Sequence, residues 1–367
     1  MFKKLAITAI SILLTGFVLT LLPTGMEPVS WSPEQAPALS GDWQPNNRLA
    51  AAIPEQTSIV GPDTVIVGPD GYRYSAIDGG IIVRWLKDGN IEEFLQIDGR
   101  PVGMNFGPDG NLYAADETRG IIWKITPEKE VSIIAESFEQ RKFNLLNDVW
   151  IAKDGSIYFT ESTSHWPLKE NQRALIEHGG DGGVFVIRPD GNIEQLLDNL
   201  NFANGVLLSP DEDFLLVAET GAYQITRLWL KGPNIGKRDV LLGNLPGFVG
   251  DLSITPDGKS YWSSFFTPRK SIMDTLGPYP KIRKLLGLLP LSLLPESQPF
   301  PFVFRFDAQG NILETLQAVP ASDQVEKQYK ESLPSFSSVV QHEDYLLLGT
   351  PGGVGTIDSD VVYKVDL

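Results

Sequence analysis

One turn and one strand type recur along this chain, and that repeat limits the possible folds more than any other feature. Gly68-Pro69-Asp70-Gly71 leads into Tyr72 to Ala76, and Gly107-Pro108-Asp109-Gly110 leads into Leu112 to Ala115. Lys153-Asp154-Gly155 precedes Ile157 to Thr160, Ser209-Pro210-Asp211 precedes Phe214 to Ala218, and Thr255-Pro256-Asp257-Gly258 precedes Tyr261 to Ser263. A sixth unit fits His342 to Thr350, with Tyr345 to Leu348 as its buried strand. The Asp-Gly pair permits the positive φ of a tight hairpin, and the apolar run after it packs one sheet face on the next unit. A period of about forty to sixty residues suits four short strands per unit, which is the arithmetic of propeller blades rather than of a helical solenoid. The pattern predicts an all-β fold, a six-bladed β-propeller. Five or seven blades, or a β-sandwich with similar hairpins, are the alternatives.

The N-terminus carries a second constraint. After Lys3 and Lys4 the chain runs from Leu5 to Leu22 without a charge, close to the roughly 20 residues that span a bilayer core. No small-x-small cleavage site follows, which favours an uncleaved anchor, a single N-terminal transmembrane helix, over a signal peptide. The two lysines then stay cytoplasmic, and the body is expected on the extracytoplasmic side: periplasmic, extracellular or lumenal. Residues 26–58 are rich in proline, serine and polar side chains and read as a stalk, with the propeller filling 59–367. An apolar insertion at about 267–300 breaks the repeat. Its stretch Lys281 to Leu294 has a basic start and a proline-broken apolar run too short to span a bilayer. A lid over the site, a second membrane contact with its basic residues at the headgroups, and a helix packed on the propeller face are all compatible with it.

Several chemistries are excluded. A formal net charge of −16 argues against nucleic-acid binding, which needs a basic face. The chain has no cysteine, so disulfides, thiolate metal sites and cysteine nucleophiles are absent. Gly-x-Ser-x-Gly elbows, the zinc pattern His-Glu-x-x-His and phosphate loops are missing too. His165, His178 and His342 are widely separated, without ligand spacing, and read as rim or turn residues. The cluster Gly179 to Gly183 precedes a strand rather than a helix and reads as a turn. What remains is a set of polar residues placed alike in the repeats, each just before an apolar strand: Asp63, Asn147 with Asp148, Asn204 and Asp251. Equivalent positions in a propeller converge on its axis. Carboxylate and carboxamide oxygens gathered there are hard ligands of the kind calcium takes, other divalent cations being compatible. The competing reading is that Asn-Asp and Asn-Gly are only turn residues.

The segments Arg100 to Gly103, Leu146 to Val149, Tyr158 to Ser162, Phe202 to Val206, Leu208 to Pro210, Val217 to Thr220, Pro246 to Phe248 and His342 with Leu346 to Gly349 together resemble a known superfamily. It is that of the six-bladed propellers comprising strictosidine synthase-like proteins, gluconolactonase and regucalcin-type (SMP-30) lactonases and paraoxonases, with the pattern leaning to members held by one membrane anchor. The resemblance implies that Asn147 and Asn204 bind one axial calcium ion. Asp63 stands where the family has glutamate, and Gly250 stands where it has aspartate, with Asp251 one residue later. Asp148 matches a ligand of a second, structural calcium in paraoxonases, but Thr64 occupies the partner position, so no second ion is expected. Val102 stands where paraoxonases have their histidine, and Ser337 where strictosidine synthases have glutamate. Neither side chain takes a proton as those do, so alkaloid-forming condensation is not expected. The implied activity is that of a membrane-anchored, calcium-dependent hydrolase of lactones or aryl esters, with Asp251 or a metal-bound hydroxide as base. The apolar insertion hints at a hydrophobic, membrane-dissolved substrate. The other reading is a non-catalytic propeller that binds a ligand or a protein partner.

Overall fold

The computed structural model describes residues 24–57, 59–86, 89–294, 297–318, 333–351 and 361–367. The run Leu5 to Leu22, read as an anchor, lies outside them. Among the described residues no helix is long and apolar enough to cross a membrane.

Among the described residues six four-stranded antiparallel sheets form the propeller, accompanied by one small two-stranded hairpin. Blades 1 to 5 run in chain order, beginning with the strands Val65–Val67, Pro101–Phe106, Leu145–Ile151, Ala203–Leu208 and Gly247–Ile254. Blade 6 begins with Ser338–His342. These first strands touch one another from blade to blade around the ring, which places them at the axis.

The recurring turn sits between the first and second strand of each of blades 1 to 5, and its chemistry is local. In blade 1 the Asp70 carboxylate accepts the Tyr72 N–H and the Tyr74 hydroxyl at 3.1 and 2.7 Å, and Gly71 holds φ at +80°. Asp109 repeats this with Asn111 and Tyr113 in blade 2, where Gly110 holds φ at +77°. Blade 4 lacks the glycine, and Glu212 takes the left-handed conformation instead, at +55°. The Ser209 hydroxyl there accepts the N–H groups of Asp213 and Phe214. An aspartate or serine capping the next N–H groups is what makes such turns cheap to form.

The ring closes with an element expected in the stalk. Ile53–Thr57 is the outer strand of blade 6, paired antiparallel with Val361–Asp366. Its composition hides it, because Ile53 faces solvent while Gln56 is buried and donates to the Gly89 carbonyl. Pro54 is tolerated because this is an edge strand. The segment ahead of it is no free stalk either. Met26 and Leu49 are fully buried, and Trp43 meets Phe302 and Phe304 edge-on at 5.9 and 5.6 Å.

Residues 269–301 lie between the second and third strands of blade 5, with helices at Ser271–Leu276 and Pro280–Leu286. Gly182 and Gly183 open the strand Gly182–Ile187, and the turn ahead of it has Gly180 at φ +69°.

The largest core cluster lies between blades 4 and 5, where Phe265 stacks on Phe304 at 4.7 Å and meets Phe302 edge-on at 5.1 Å. Removing that ring leaves a cavity that neighbours fixed in strands cannot fill. Phe265→Ala is expected to lower unfolding free energy by about 3–5 kcal/mol in urea titration, while Ile235→Ala, at an exposed site, changes it by less than about 0.5 kcal/mol.

Candidate functional site

Four of the first strands carry the same irregularity at the same place. In blade 3, Leu146 pairs with Glu161 and Val149 with Phe159, so Asn147 and Asp148 together oppose Thr160 alone. In blade 4, Asn204 and Gly205 oppose Ala218, and in blade 5, Gly250 and Asp251 oppose Ser264. In blade 2, Val102 and Gly103 oppose Ala115. Each is a β-bulge, two residues facing one, which bends the strand and re-aims its side chains. Blade 1 supplies Asp63 and Thr64 just ahead of its first strand. The site is a set of bulges around the axis.

The glycines among these positions let the bulges approach one another. A Cβ on Gly205 would fall 2.5 Å from the Leu252 nitrogen and 2.7 Å from Asp251 Cα, and one on Gly103 would fall 2.4 Å from Asp148 Cα. Hydrogen bonds then lock blade to blade. Asp148 accepts the Val149 and Val206 N–H groups, both at 2.8 Å, and the Thr160 hydroxyl donates to the Asn204 carbonyl at 2.6 Å. The Asp251 N–H donates to the Ser337 carbonyl at 3.1 Å, and the Ser338 hydroxyl to the Asp63 carbonyl at 2.9 Å. Thr64 reaches across the axis to donate to Asp251 Oδ2 at 2.9 Å.

Carboxylates so placed disturb one another. Burial raises the Asp148 carboxyl to about 7, the charge of Asp63 adding to the effect while the two N–H groups oppose it. Burial also pushes the Asp251 carboxyl well above the ordinary range, reinforced by the charges of Asp148 and Asp63 and opposed by Thr64. Asn204 is 2% exposed, and its Oδ1 has no hydrogen-bond partner among the described residues. A buried carbonyl oxygen without a donor, beside carboxylates that repel each other, suits a positive ion. Among the described residues no three carboxylate or imidazole side chains come as close together as metal ligands do, so an ion here also needs the carboxamide oxygens.

A cavity of about 180 Å³ opens above the axis. Asp63, Asn147 and Asn204 line it, whereas Asp148 and Asp251, both at the second bulge position, do not. Its walls are largely apolar, with Leu145, Phe202, Phe248 and Phe266 from the blades. Three segments roof it: Trp31 from the N-terminal stretch, Leu175 and Ile176 from the helix Asn171–Glu177, and Met273 from the blade 5 insertion. Arg100 and Glu117 form an ion pair on the polar side, and Asp78 also binds Arg100. Tyr223 donates to Asp274 at 3.1 Å, and burial together with that carboxylate holds its phenol far above the usual value, so it stays protonated.

None of the three histidines lines the cavity. His178 stacks on Trp31 at 3.8 Å, and burial with the Arg283 charge lowers its imidazole to about 3, which keeps it neutral. His165 lies edge-on to Trp166, and His342 ends the first strand of blade 6. The roof residues, Trp31 above all, carry no motif in the sequence. Of the residues around the polar side, only those in Arg100-Pro101-Val102-Gly103 stand out there.

The family profile described as "SMP-30/Gluconolactonase/LRE-like region" matches residues 64–263, and one described as "Strictosidine synthase-like, N-terminal" matches residues 41–85. The adipocyte plasma membrane-associated protein of Bos taurus is 32% identical over 298 residues, covering 75% of this chain and 71% of its own. Among solved structures, a gluconolactonase from Xanthomonas campestris is 17% identical with a TM-score of 0.60, covering 95% of this chain and 99% of that one. A calcium-binding protein from Agrobacterium tumefaciens, regucalcin, is 12% identical with a TM-score of 0.55, covering 85% and 91%. At those identities the two structures share the fold.

The carboxyl shifts fix the sign of a pH effect. With no cation present, the folded protein holds more protons than the unfolded chain between about pH 4 and pH 7. Stability therefore falls as pH rises through that window. Asp251→Asn keeps an acceptor for Thr64 and removes a carboxyl whose ionised form is disfavoured by burial and by the charges of Asp148 and Asp63. Melting of chelator-treated protein is expected to show the variant more stable than the parent above pH 7, with the difference vanishing near pH 4.

Proposed function

The chain belongs to the SMP-30/gluconolactonase/LRE-like family, and from that premise we propose that it is a membrane-associated hydrolase of lactones or aryl esters that depends on a divalent cation, calcium first. The family is one of lactonase-type propellers, and the two solved structures described above share this chain's architecture. One observation carries the reading: Asn204, whose buried Oδ1 is orphaned, lines the same cavity as Asn147 and Asp63, beside mutually repelling carboxylates. That donor set is hard and neutral-to-anionic, which fits calcium and not a soft metal. The regucalcin that shares the fold is described as a calcium-binding protein, which supports the choice of ion.

Asp63, Asn147, Asn204 and Asp251 are the residues that would hold the ion. Bound there, it would supply the Lewis acidity that polarises an ester or lactone carbonyl and stabilises the charge developing on its oxygen. The protein does the rest. The apolar wall of Leu145, Phe202, Phe248 and Phe266 takes the hydrocarbon part of a substrate and excludes water around it. Thr64 orients Asp251, which is absent from the cavity wall, so the role assigned to Asp251 is to hold the ion rather than to accept a proton from water. The Arg100–Glu117 pair leaves that glutamate committed to the guanidinium. The relatives' name, plasma membrane-associated protein, and the uncharged run Leu5 to Leu22 support the membrane location.

One feature favours the second reading, a propeller that binds without turnover. Val102 fills the first bulge position in blade 2, and no histidine among the described residues reaches the cavity to serve as a base. The decisive assay is hydrolysis of a panel of lactones and aryl esters by the full-length chain in detergent, with calcium and after chelation. Turnover is expected to require calcium and to fall at least about 100-fold in Asn204→Ala with the fold retained. Folded, calcium-loaded protein that turns over none of the panel would instead leave the binding reading standing.

A further inference from the structure

The N-terminal stretch is tied to the blade 5 insertion at the point where the uncharged run ends. Leu22 stands two residues before Thr24. A Cβ on Gly287 would meet Met26 Sδ at 2.8 Å and Thr24 Cβ at 2.9 Å, so the two segments are in close contact there. Met26 is fully buried among Trp166, Ile176 and Leu294, with Leu286 and Leu289 against the same cluster. Lys284 pairs with Glu27 at 2.8 Å. Arg283 is fully buried and donates to the carbonyls of Ile176 at 2.6 Å, Gly277 at 3.1 Å and Val29, which binds the three roof segments into one body.

Two residues of extended chain reach about 7 Å at most. If the run Leu5 to Leu22 is in a bilayer, the insertion must therefore lie at that bilayer's surface, and its outward residues are chemically suited to the place. Ile272, Tyr279, Ile282, Leu288 and Leu293 are exposed by 52, 54, 47, 38 and 65%. Lys281 to Leu294 contains three basic residues and no acidic one, in a chain of net charge −16. Arg283 is turned inward, which leaves Lys281 exposed beside the apolar side chains. Short apolar segments edged by lysine and tyrosine settle at the boundary between headgroups and acyl chains.

The geometry points to a lipid bilayer as the surface that covers residues 272–293, so that the roof of the cavity is seated on the membrane. Met273 and Ser297 of the same insertion line the cavity, so a molecule dissolved in the lipid reaches the site without crossing bulk water. The inference rests on the proposed membrane anchor and adds to it an orientation, with the mouth of the propeller facing the lipid and its substrate drawn from amphiphilic esters or lactones.

The absence of cysteine makes the test direct. Nitroxide labels are placed on Ile282→Cys, Leu293→Cys and, as the aqueous control, Ile235→Cys, each at an exposed position and in otherwise full-length protein reconstituted in phosphatidylcholine/phosphatidylglycerol vesicles. Power-saturation spectroscopy then compares collisions with oxygen and with a water-soluble nickel chelate. Labels at 282 and 293 are expected to show an oxygen-to-nickel ratio several-fold above that at 235. Protein that floats with the vesicles while all three labels match overturns the inference and leaves the anchor standing. Labels shielded from both quenchers in proportion to protein density overturn it in favour of a second copy on this face. Protein that does not float at all overturns the anchor and the inference together.

Discussion

Mutual repulsion between carboxylates at the axis is the constraint on which the rest of this structure depends. Asp63, Asp148 and Asp251 come from blades 1, 3 and 5, and the charges of Asp63 and Asp148 raise the proton affinity of their neighbours. A fold driven only by burial would not gather such groups, since desolvated like charges work against stability. The β-bulges explain how they are held. Two residues against one in blades 3, 4 and 5 turn polar side chains toward the axis while the rest of each first strand keeps its pairing. Glycines at the neighbouring bulge positions remove the Cβ atoms that would otherwise keep the strands apart. A cation on the axis, as proposed above, would turn this cost into binding free energy.

The cavity above the axis is made by segments far apart in sequence. Trp31, the helix Asn171–Glu177 and the blade 5 insertion meet over it, held by the buried guanidinium of Arg283 and by the stacking of Trp31 on His178. The propeller thus supplies the polar floor and the excursions from it supply the apolar roof. A substrate with a polar carbonyl and a hydrocarbon body matches that division, and a sugar lactone rich in hydroxyl groups matches it poorly.

The blades were legible in the sequence because their turns are local chemistry. Asp70 and Asp109 cap N–H groups two residues on, and Gly71 and Gly110 take a positive φ, so four residues suffice to announce each hairpin. Repeated position also singles out Asn147, Asn204 and Asp63 in the sequence, and the structure brings all three to the wall of one cavity. The one-residue offset of Asp251 was visible but not interpretable, because only the strand pairing shows that it shares the second bulge position with Asp148. The outer strand Ile53–Thr57 was read as stalk. Its partner, Val361–Asp366, lies at the other end of the chain, and its exposed Ile53 and buried Gln56 invert the usual pattern. Trp31 was invisible as a wall of the cavity, since its place is set by contacts with His178 and Tyr223 that no local spacing encodes.

A single cation shared by the axial donors is tested most directly by anomalous diffraction from crystals of the full-length protein grown with a calcium salt. A single peak is expected within ligand distance of oxygens from Asp63, Asn147, Asn204 and Asp251, absent from crystals of Asn204→Ala. Crystals diffracting well in calcium but showing no peak at the axis, with Asn204 Oδ1 satisfied by a protein donor or by water, would contradict it.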